Sequence, residues 1–198
     1  MNPKASTHLR PVRNDVPLEE RGDDELMLLV ASGLRDAFAT LVRRHHRHLR
    51  AYCARMSGSA ALGDDLAQEI LLTIWQARGS YEPRGRFRSY LFTIAHRRCF
   101  NELRHRAGDD APTADLPETP VESNQFDELV AGERRRRVHA YMHKLPADQR
   151  RALLLRYVAE LEYDEIAEIV ARSEATVRTR VFLGLARLRK WMTKGQPR

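Results

Sequence analysis

The chain has 198 residues, of which 42% are hydrophobic, and its formal net charge at pH 7 is +7. This length suits one ordinary domain or two small ones, and the apolar fraction can build a core, which excludes a disordered chain. The basic balance favours a polyanionic partner, either nucleic acid or an anionic membrane surface.

Several classes of protein are excluded by simple features. The sequence has no run of about 18 apolar residues, so no membrane insertion is expected, and residues 1–20 lack the apolar centre of a secretory signal. Cys53 and Cys99 lie in helical sequence, which suits reduced thiols in a cytoplasm. They have no partners at metal-ligand spacing, and the RHHRH run at 44–48 fits a solvated helix. We expect no metal, no cofactor and no enzymatic activity, because no catalytic constellation appears.

Helical periodicity divides the chain into segments. Residues 1–22 contain three prolines and little periodicity, which predicts a flexible N-terminal tail. Residues 23–106 have a helical pattern throughout, and residues 107–127 form an acidic linker that contains prolines. The helical pattern resumes over residues 128–192, and residues 193–198 form a C-terminal tail. The predicted fold is all-α, with two small helical domains on a flexible acidic linker.

The first domain contains an amphipathic helix with an acidic face. Asp64 is predicted to cap this helix directly after Gly63, and Leu66, Ile70 and Ile74 form its apolar stripe. The polar face consists of Asp64, Asp65, Gln68 and Glu69. An acidic face does not bind DNA, so it binds a basic protein surface or is simply solvated.

The segment 78–106 that follows is strongly basic. It contains eight arginines and only two acidic residues. Basic residues interleaved with aromatic rings suit single-stranded nucleic acid, because charge follows the phosphates and rings stack on bases. Phe87, Tyr90 and Ile94 fall at helical spacing and can equally be core residues. The arginine excess is the feature that core packing does not explain.

Residues 163–181, YDEIAEIVARSEATVRTRV, have the spacing of a helix-turn-helix. Ala167 is a small residue where the helices cross, Ala171 lies in the turn, and Val177 is the apolar anchor of the second helix. The turn position often takes glycine because glycine tolerates positive φ, and alanine departs from that pattern here. The second domain is therefore predicted to contain a helix-turn-helix.

The second helix of this pair presents a face that suits duplex DNA. Arginine can bond guanine bidentately and the threonine methyl can meet a thymine methyl, while Ser173 can cap the helix beside a phosphate. A solvated face of a three-helix bundle is the alternative. The stripe predicted to face the core is Val177, Val181, Leu185 and Leu188. The outward and flanking residues are Ala175, Arg178, Thr179, Arg180 and Phe182.

Four segments occur together in one order: DDLAQEILLTIW (64–75), FRSYLFTIAHRRCFNELRHR (87–106), LPADQRRALLLRY (145–157) and EIAEIVARSEATVRTRV (165–181). Over about residues 23–192, apart from the linker, they resemble the extracytoplasmic-function (ECF, group 4) sigma factors of the sigma-70 family. The resemblance implies an RNA polymerase sigma factor that directs core polymerase to specific promoters and helps open the −10 element.

The resemblance also implies partners and contact residues. The partners are bacterial RNA polymerase core, through the clamp of its β′ subunit and the flap of its β subunit, promoter DNA, and a cognate anti-sigma factor. The implied polymerase-binding residues are Asp65, Gln68 and Glu69. Those at the −10 element are Arg86, Arg88, Tyr90, His96, Arg97, Asn101 and Arg104. Those at the −35 element are Arg172, Ser173, Arg178, Thr179 and Phe182.

Three positions depart from the family pattern, and two other functions stay open. The family usually has Trp at Tyr90, Asn at Arg97 and Asp at Asn101, so the −10 helix is more basic here. One alternative is a helix-turn-helix regulator that acts on duplex DNA without polymerase, which would need a dimer surface or an effector pocket. The other is an RNA-binding protein or an accessory domain of an RNA-modifying enzyme.

Overall fold

The structure is a computed structural model that describes residues 16–107 and 137–194, except residue 139. Within these ranges all regular secondary structure is helical, which confirms the predicted all-α fold. The predicted linker, apart from residue 107, lies outside the described residues, as do residues 1–15 and 195–198. No helix in the described ranges has the length and apolar character needed to span a bilayer.

The first domain is built from four helices. They are α1 (Asp23–Ala31), α2 (Arg35–Ser57), α3 (Ala60–Gln76) and α4 (Phe87–Ala107). The long helices α2 and α3 form a hairpin, and α1 and α4 pack against it. A glycine in the left-handed conformation, Gly58 with φ +75°, ends α2 and lets the chain reverse direction.

The predicted start of α3 is wrong. The cap is Ser59, whose Oγ accepts a hydrogen bond from the backbone N–H of Leu62 at 3.3 Å, and Asp64 lies within the helix. Gly63 is buried in the hairpin, where a Cβ would lie 2.6 Å from the backbone of Ala54. This glycine permits a close helix approach and does not break the helix. The predicted apolar stripe is confirmed, with full burial of Leu66, Ile70 and Ile74.

Residues 16–22 are the part of the predicted N-terminal tail that the structure describes, and they contact the first domain. The segment Leu18–Glu20 forms a 3-10 turn against α2. Arg44 donates hydrogen bonds to the backbone carbonyls of Leu18, Glu19 and Arg21 at 2.6 to 3.3 Å and to the Asp23 carboxylate at 2.9 Å. Because one guanidinium satisfies these carbonyls, the chain is fixed before α1 begins.

The second domain contains α5 (Ala147–Tyr157), α6 (Tyr163–Val170) and α7 (Glu174–Lys194), and residues 140–143 are also helical. Within this domain the most extensive packing is between α5 and α7. These helices approach closely at Gly184, where a Cβ would lie 2.8 Å from Cδ1 of Leu153.

The predicted core stripe of α7 is correct in part. Val177 and Val181 are buried and Leu188 is partly buried, but Leu185 is 38% exposed. Gly184 takes the core-facing position instead, because its missing side chain lets α7 lie close to α5. Helical periodicity predicted that Leu185 faces the core, but the close approach of α5 and α7 brings Gly184 to that side instead.

The two domains are in direct contact. Helix α4 contacts α6, and α2 contacts α5. The start of α4, where arginines are concentrated, therefore faces the acidic helix of the helix-turn-helix.

Candidate nucleic-acid interface

The predicted helix-turn-helix is confirmed in the second domain. Helix α6 begins with a capping box, in which Glu165 Oε2 accepts from the N–H of Glu162 at 2.9 Å. It ends at Ala171, whose φ of +50° and ψ of +52° are left-handed. Helix α7 then begins after Ser173, whose Oγ accepts from the N–H of Thr176 at 3.3 Å. These caps fix the angle between α6 and α7.

The outward face of α7 carries the side chains predicted to read DNA. Arg178 donates from Nε to Glu174 at 2.9 Å, and its guanidinium lies 4.3 Å from the ring centroid of Tyr163. The Thr179 hydroxyl donates to the carbonyl one turn earlier at 2.9 Å, so its methyl group is fixed in direction. Phe182 is 70% exposed, which is unusual for a large aromatic ring. All three are accessible to a partner.

The other arginines of the helix-turn-helix have different environments. Arg172 is exposed in the turn, and its Nη1 donates to the carbonyl of Ala171 at 2.9 Å. Arg180 points back toward α5, where its Nη2 lies 2.6 Å from Asp148. Arg178 and Arg180 look equivalent in sequence, but only Arg178 is on the outward face.

The first turn of α4 and the residue before it hold two of the arginines predicted to contact the −10 element. Arg86 lies 3.1 Å from Asp164 and 3.4 Å from Glu168, both in α6. Arg88 lies 2.8 Å from Glu160, in the loop between α5 and α6. Both guanidinium groups therefore contact carboxylates of the second domain.

The loop before α4 is fixed by a residue that the sequence did not identify. The Asp24 carboxylate, from α1, accepts hydrogen bonds from the Tyr81 hydroxyl at 2.7 Å and from the N–H groups of Arg84 and Gly85 at 3.0 and 3.1 Å. The ring of Tyr90 packs edge-on against Tyr81, with centroids 5.1 Å apart. No local pattern could have found Asp24, because it lies about sixty residues before the loop it binds.

His96, one of the residues predicted to contact the −10 element, is largely buried. It is only 7% exposed, and its Nδ1 lies 3.1 Å from the hydroxyl of Tyr52 in α2. Burial, together with the nearby charges of Arg151 and Arg97, lowers the pKa of His96 to about 4. The imidazole is therefore neutral at pH 7 and belongs to the core between α2 and α4.

The exposed side of α4 carries the remaining predicted residues, Arg97, Asn101 and Arg104. Arg97 and Asn101 line a shallow hollow together with His96, Phe100 and Arg151. Arg151, from α5, places its guanidinium 5.4 Å from the ring centroid of Phe100. The hollow is cationic and partly aromatic, and it lies where the two domains meet.

The predicted polymerase-binding face of α3 is exposed. Glu69 forms an ion pair with Arg98 of α4 at 2.6 Å, whereas Asp65 has no ion pair within the described chain. Leu72 lies one turn beyond Gln68 and is 59% exposed, so it extends this face with an apolar contact. The prediction missed Leu72, although its spacing from Gln68 places it on the same side of the helix.

The cysteines and histidines do not assemble into a site. Cys53 and Cys99 are buried free thiols, and hydrogen bonding to Cys99 together with burial raises the pKa of Cys53. Among the described residues, no three His, Cys, Asp or Glu side chains are grouped as metal ligands would be.

Two family sequence models match this chain. The model for Sigma-70 region 2 matches residues 41–108, and the model for Sigma-70, region 4 matches residues 135–188. RNA polymerase sigma factor CarQ of Myxococcus xanthus is 32% identical over 158 residues, which cover 80% of this chain and 90% of CarQ. ECF RNA polymerase sigma factor SigK of Mycobacterium ulcerans is 31% identical over 179 residues, covering 85% and 94%.

Two solved structures have the same fold. CnrH, in complex with the cytosolic domain of CnrY, superposes with a TM-score of 0.68 at 21% identity and covers 89% of this chain and 100% of its own. The sigma factor RpoE of Bartonella quintana, in complex with the anti-sigma factor NepR, gives a TM-score of 0.59 at 22% identity and covers 87% and 97%.

Proposed function

The chain belongs to the ECF group of the sigma-70 family of RNA polymerase sigma factors, and from this premise we propose which of its surfaces recognises what. Region 2 is the first domain, described over residues 16–107, and region 4 is the second, described over residues 137–194. As a sigma factor, the protein directs core polymerase to promoters. It contributes promoter recognition rather than catalysis, and it acts in the cytoplasm together with the polymerase.

Region 4 reads the −35 element through α7. The observation that carries this proposal is the division of α7 into a buried face of Val177 and Val181 and an outward face of Arg178, Thr179 and Phe182. Side chains near the start of a recognition helix reach base edges in the major groove. Arg172 and Ser173 precede that face, so they contact phosphates, which positions the helix without specifying sequence.

Region 2 holds the opened −10 strand along α4. Arg86, Arg88, Arg97 and Arg104 supply charge for phosphates, while Tyr90 and Asn101 supply a ring and an amide for bases. His96 supports this helix from inside, because its buried imidazole joins α4 to α2. We therefore assign His96 a supporting role beneath the −10 surface.

The exposed face of α3 binds polymerase. Asp65, Gln68 and Glu69 meet the clamp of the β′ subunit, and Leu72 adds apolar area to the same contact. Region 4 meets the flap of the β subunit. A cognate anti-sigma factor controls the protein, by analogy with RpoE, which was solved in complex with the anti-sigma factor NepR.

The test of function is transcription with purified core polymerase on a promoter library randomised at both elements. The full chain should select a consistent pair of elements, and core polymerase alone should not. A regulator that acts without polymerase would instead select duplex sites in the absence of core enzyme. That result would contradict the proposal.

The polymerase contact has its own test. Asp65→Arg should weaken binding of the full chain to core polymerase by about 10-fold, because a charge is reversed at the proposed contact. Asp36→Arg is the matched control, since Asp36 is also exposed on region 2 but lies on α2. Equal affinities for the two variants, measured by fluorescence titration, would contradict the assignment of α3.

A further inference from the structure

The arginines at the start of the −10 helix are paired with acids from region 4. Arg86 contacts Asp164 at 3.1 Å and Glu168 at 3.4 Å, and Arg88 contacts Glu160 at 2.8 Å. Arg86 uses one terminal nitrogen for each of its two carboxylates and Arg88 uses one for Glu160, and these are donors that a guanidinium would offer to a phosphate. The carboxylates of these acidic residues therefore occupy the positions at which we expect the phosphates of a bound DNA strand.

Glu160 is held in this position by an unusual backbone. Its φ is +54°, a left-handed conformation that few residues other than glycine, Asn and Asp adopt readily. From there its carboxylate reaches Arg88, and its Oε1 lies 3.5 Å from Nε2 of His48 in α2. This conformation is unfavourable for glutamate, and here it accompanies the contacts of the Glu160 carboxylate with Arg88 and His48.

Region 4 covers a second part of the same surface. Arg151 of α5 lies over the ring of Phe100, and it closes one side of the hollow that Arg97 and Asn101 line. The contacts of α6 and α5 thus fall at two successive places along α4. Between them they contact the start of the proposed −10 surface and border its middle, where Arg97 and Asn101 stay exposed.

We propose that, in the free chain, region 4 folds back onto region 2 and withholds the −10 surface from single-stranded DNA. The acidic triad, defined as Glu160, Asp164 and Glu168, forms the inhibitory contact by taking the place of DNA phosphates. This inference rests on the −10 role proposed above for α4. It adds to that role a closed state in which the chain inhibits itself.

The closed contact is weak enough to be reversed. All three carboxylates are about half exposed or more, so water and salt screen their ion pairs. Arg88 Nε and His48 Nδ1 are buried without a hydrogen-bond partner among the described residues, which is unfavourable for the closed state. Core polymerase, by binding both regions at separate places, can therefore open the chain.

The experiment compares three full-length chains. The triad variant carries Glu160→Gln, Asp164→Asn and Glu168→Gln. A matched control neutralises three exposed acids of region 2, and both variants lose three negative charges, which changes the net charge from +7 to +10. The control substitutions are Glu19→Gln, Glu20→Gln and Asp36→Asn. Circular dichroism verifies that all chains retain their helix content.

Two measurements are made without polymerase. Small-angle X-ray scattering gives the radius of gyration, and fluorescence anisotropy gives the affinity for a short mixed-sequence single-stranded DNA. The triad variant should be more expanded than the other two chains and should bind the DNA about 10-fold more tightly than the control. A 10-fold gain corresponds to opening a chain whose DNA-competent state was populated to about 10%. Comparison with the control accounts for the general increase in DNA affinity that three added units of positive charge produce.

The outcomes separate this inference from the −10 assignment. A triad variant that scatters like the wild-type chain overturns the closed state. A triad variant that expands, but binds DNA no more tightly than the control, overturns the inhibition and leaves the −10 assignment standing. Expansion with no DNA binding by any of the three chains overturns both the −10 assignment and the inhibition, although the closed contact itself would then be established.

Discussion

The two helices that we assign to promoter DNA are fixed by different kinds of contact. In α7, Arg178 is positioned by Glu174 one turn away and by Tyr163 of the adjacent α6. In α4, the preceding loop is bound by Asp24 of α1, and His96 is bonded to Tyr52 of α2. The DNA-facing side chain Arg178 is thus positioned by residues close in sequence, whereas α4 and its loop are positioned by distant ones.

This difference has a consequence for substitutions. The outward side chains of α7 can be replaced with little effect on folding, because the buried face of the helix is separate from them. Those of α4 share a helix with buried Phe92 and His96, and two of its arginines hold the other domain. A change in α4 therefore alters stability and domain contact as well as DNA binding.

The largest contrast is expected between two phenylalanines. Phe92→Ala should destabilise region 2 by about 3–5 kcal/mol, since the ring is fully buried against Tyr52. Phe182→Ala should change the stability of region 4 by about 0.5 kcal/mol or less. Urea unfolding of the full chain measures both: Trp75 reports on region 2 in a Trp191→Phe background, and Trp191 on region 4 when Trp75 is replaced.

Equal destabilisation by the two phenylalanine substitutions would contradict the proposed difference between α4 and α7. If Phe182→Ala lowered the unfolding midpoint of region 4 as much as Phe92→Ala lowers that of region 2, the outward face of α7 would be part of a core contact. Holoenzyme transcription supplies a second readout, because Phe182→Ala should reduce promoter affinity in a chain of unchanged stability.

The buried histidine of α4 predicts a pH dependence that α7 lacks. The pKa of His96 is about 4 in the folded chain and 6.5 as the reference, so the unfolded chain binds the proton more tightly. The stability from the neutral imidazole is complete above about pH 6.5 and is lost as pH falls toward 4. Between pH 7 and pH 5 the loss from this residue should be about 2 kcal/mol.

The measurement is urea unfolding of region 2 at the two pH values. His96→Gln should make the stability of region 2 less dependent on pH, whatever its effect at pH 7. His46→Gln is the matched control, because His46 is exposed on α2. The same pH slope in wild type and His96→Gln would show that the imidazole is not held neutral.

Local periodicity was sufficient for much of the molecule. The stripe through Leu66 and Ile70 and the helix-turn-helix around Val177 follow from side-chain spacing alone, since burial on one face of a helix imposes it. The outward positions of Arg178 and Thr179 follow from the same wheel. The resemblance to sigma factors added the order of the two domains and their roles.

The remaining features of the fold and of the proposed site depend on packing between residues far apart in the chain. Patterns in a single sequence do not show which distant residues meet. Gly63 looked like a helix boundary, but it permits the close approach of α2 and α3. In sequence Arg180 is indistinguishable from Arg178, and only the ion pair between Arg180 and Asp148 of α5 shows that it points away from the outward face. The burial of His96 was not predictable either, because the hydroxyl of Tyr52 that it contacts is 44 residues away in sequence.

The arginines of the helix-turn-helix should separate into base readers and phosphate binders. Arg178→Ala, and similarly Thr179→Ala, should cost about 1–3 kcal/mol at the preferred −35 sequence and relax the preference there. Arg172→Ala should weaken all sequences alike and reduce the salt dependence by about one unit of slope. Transcription by holoenzyme over a randomised −35 element measures both effects. Base preferences that change only with Arg172→Ala would reverse the proposed orientation of α7.

The smallest expected effect tests whether α7 is set by local backbone geometry. Ala171 has a φ of +50°, which is unfavourable for alanine, so Ala171→Gly should stabilise region 4 by about 0.5–1 kcal/mol and leave region 2 unchanged. Ala167→Gly, within α6, should destabilise region 4 by about 1 kcal/mol. Glu160→Gly relieves similar strain but removes the pairs with Arg88 and His48, so its gain should be smaller. Thermal unfolding followed by Trp191 fluorescence ranks the three variants, and a lower melting temperature for Ala171→Gly would mean that this turn is held by contacts beyond its own backbone.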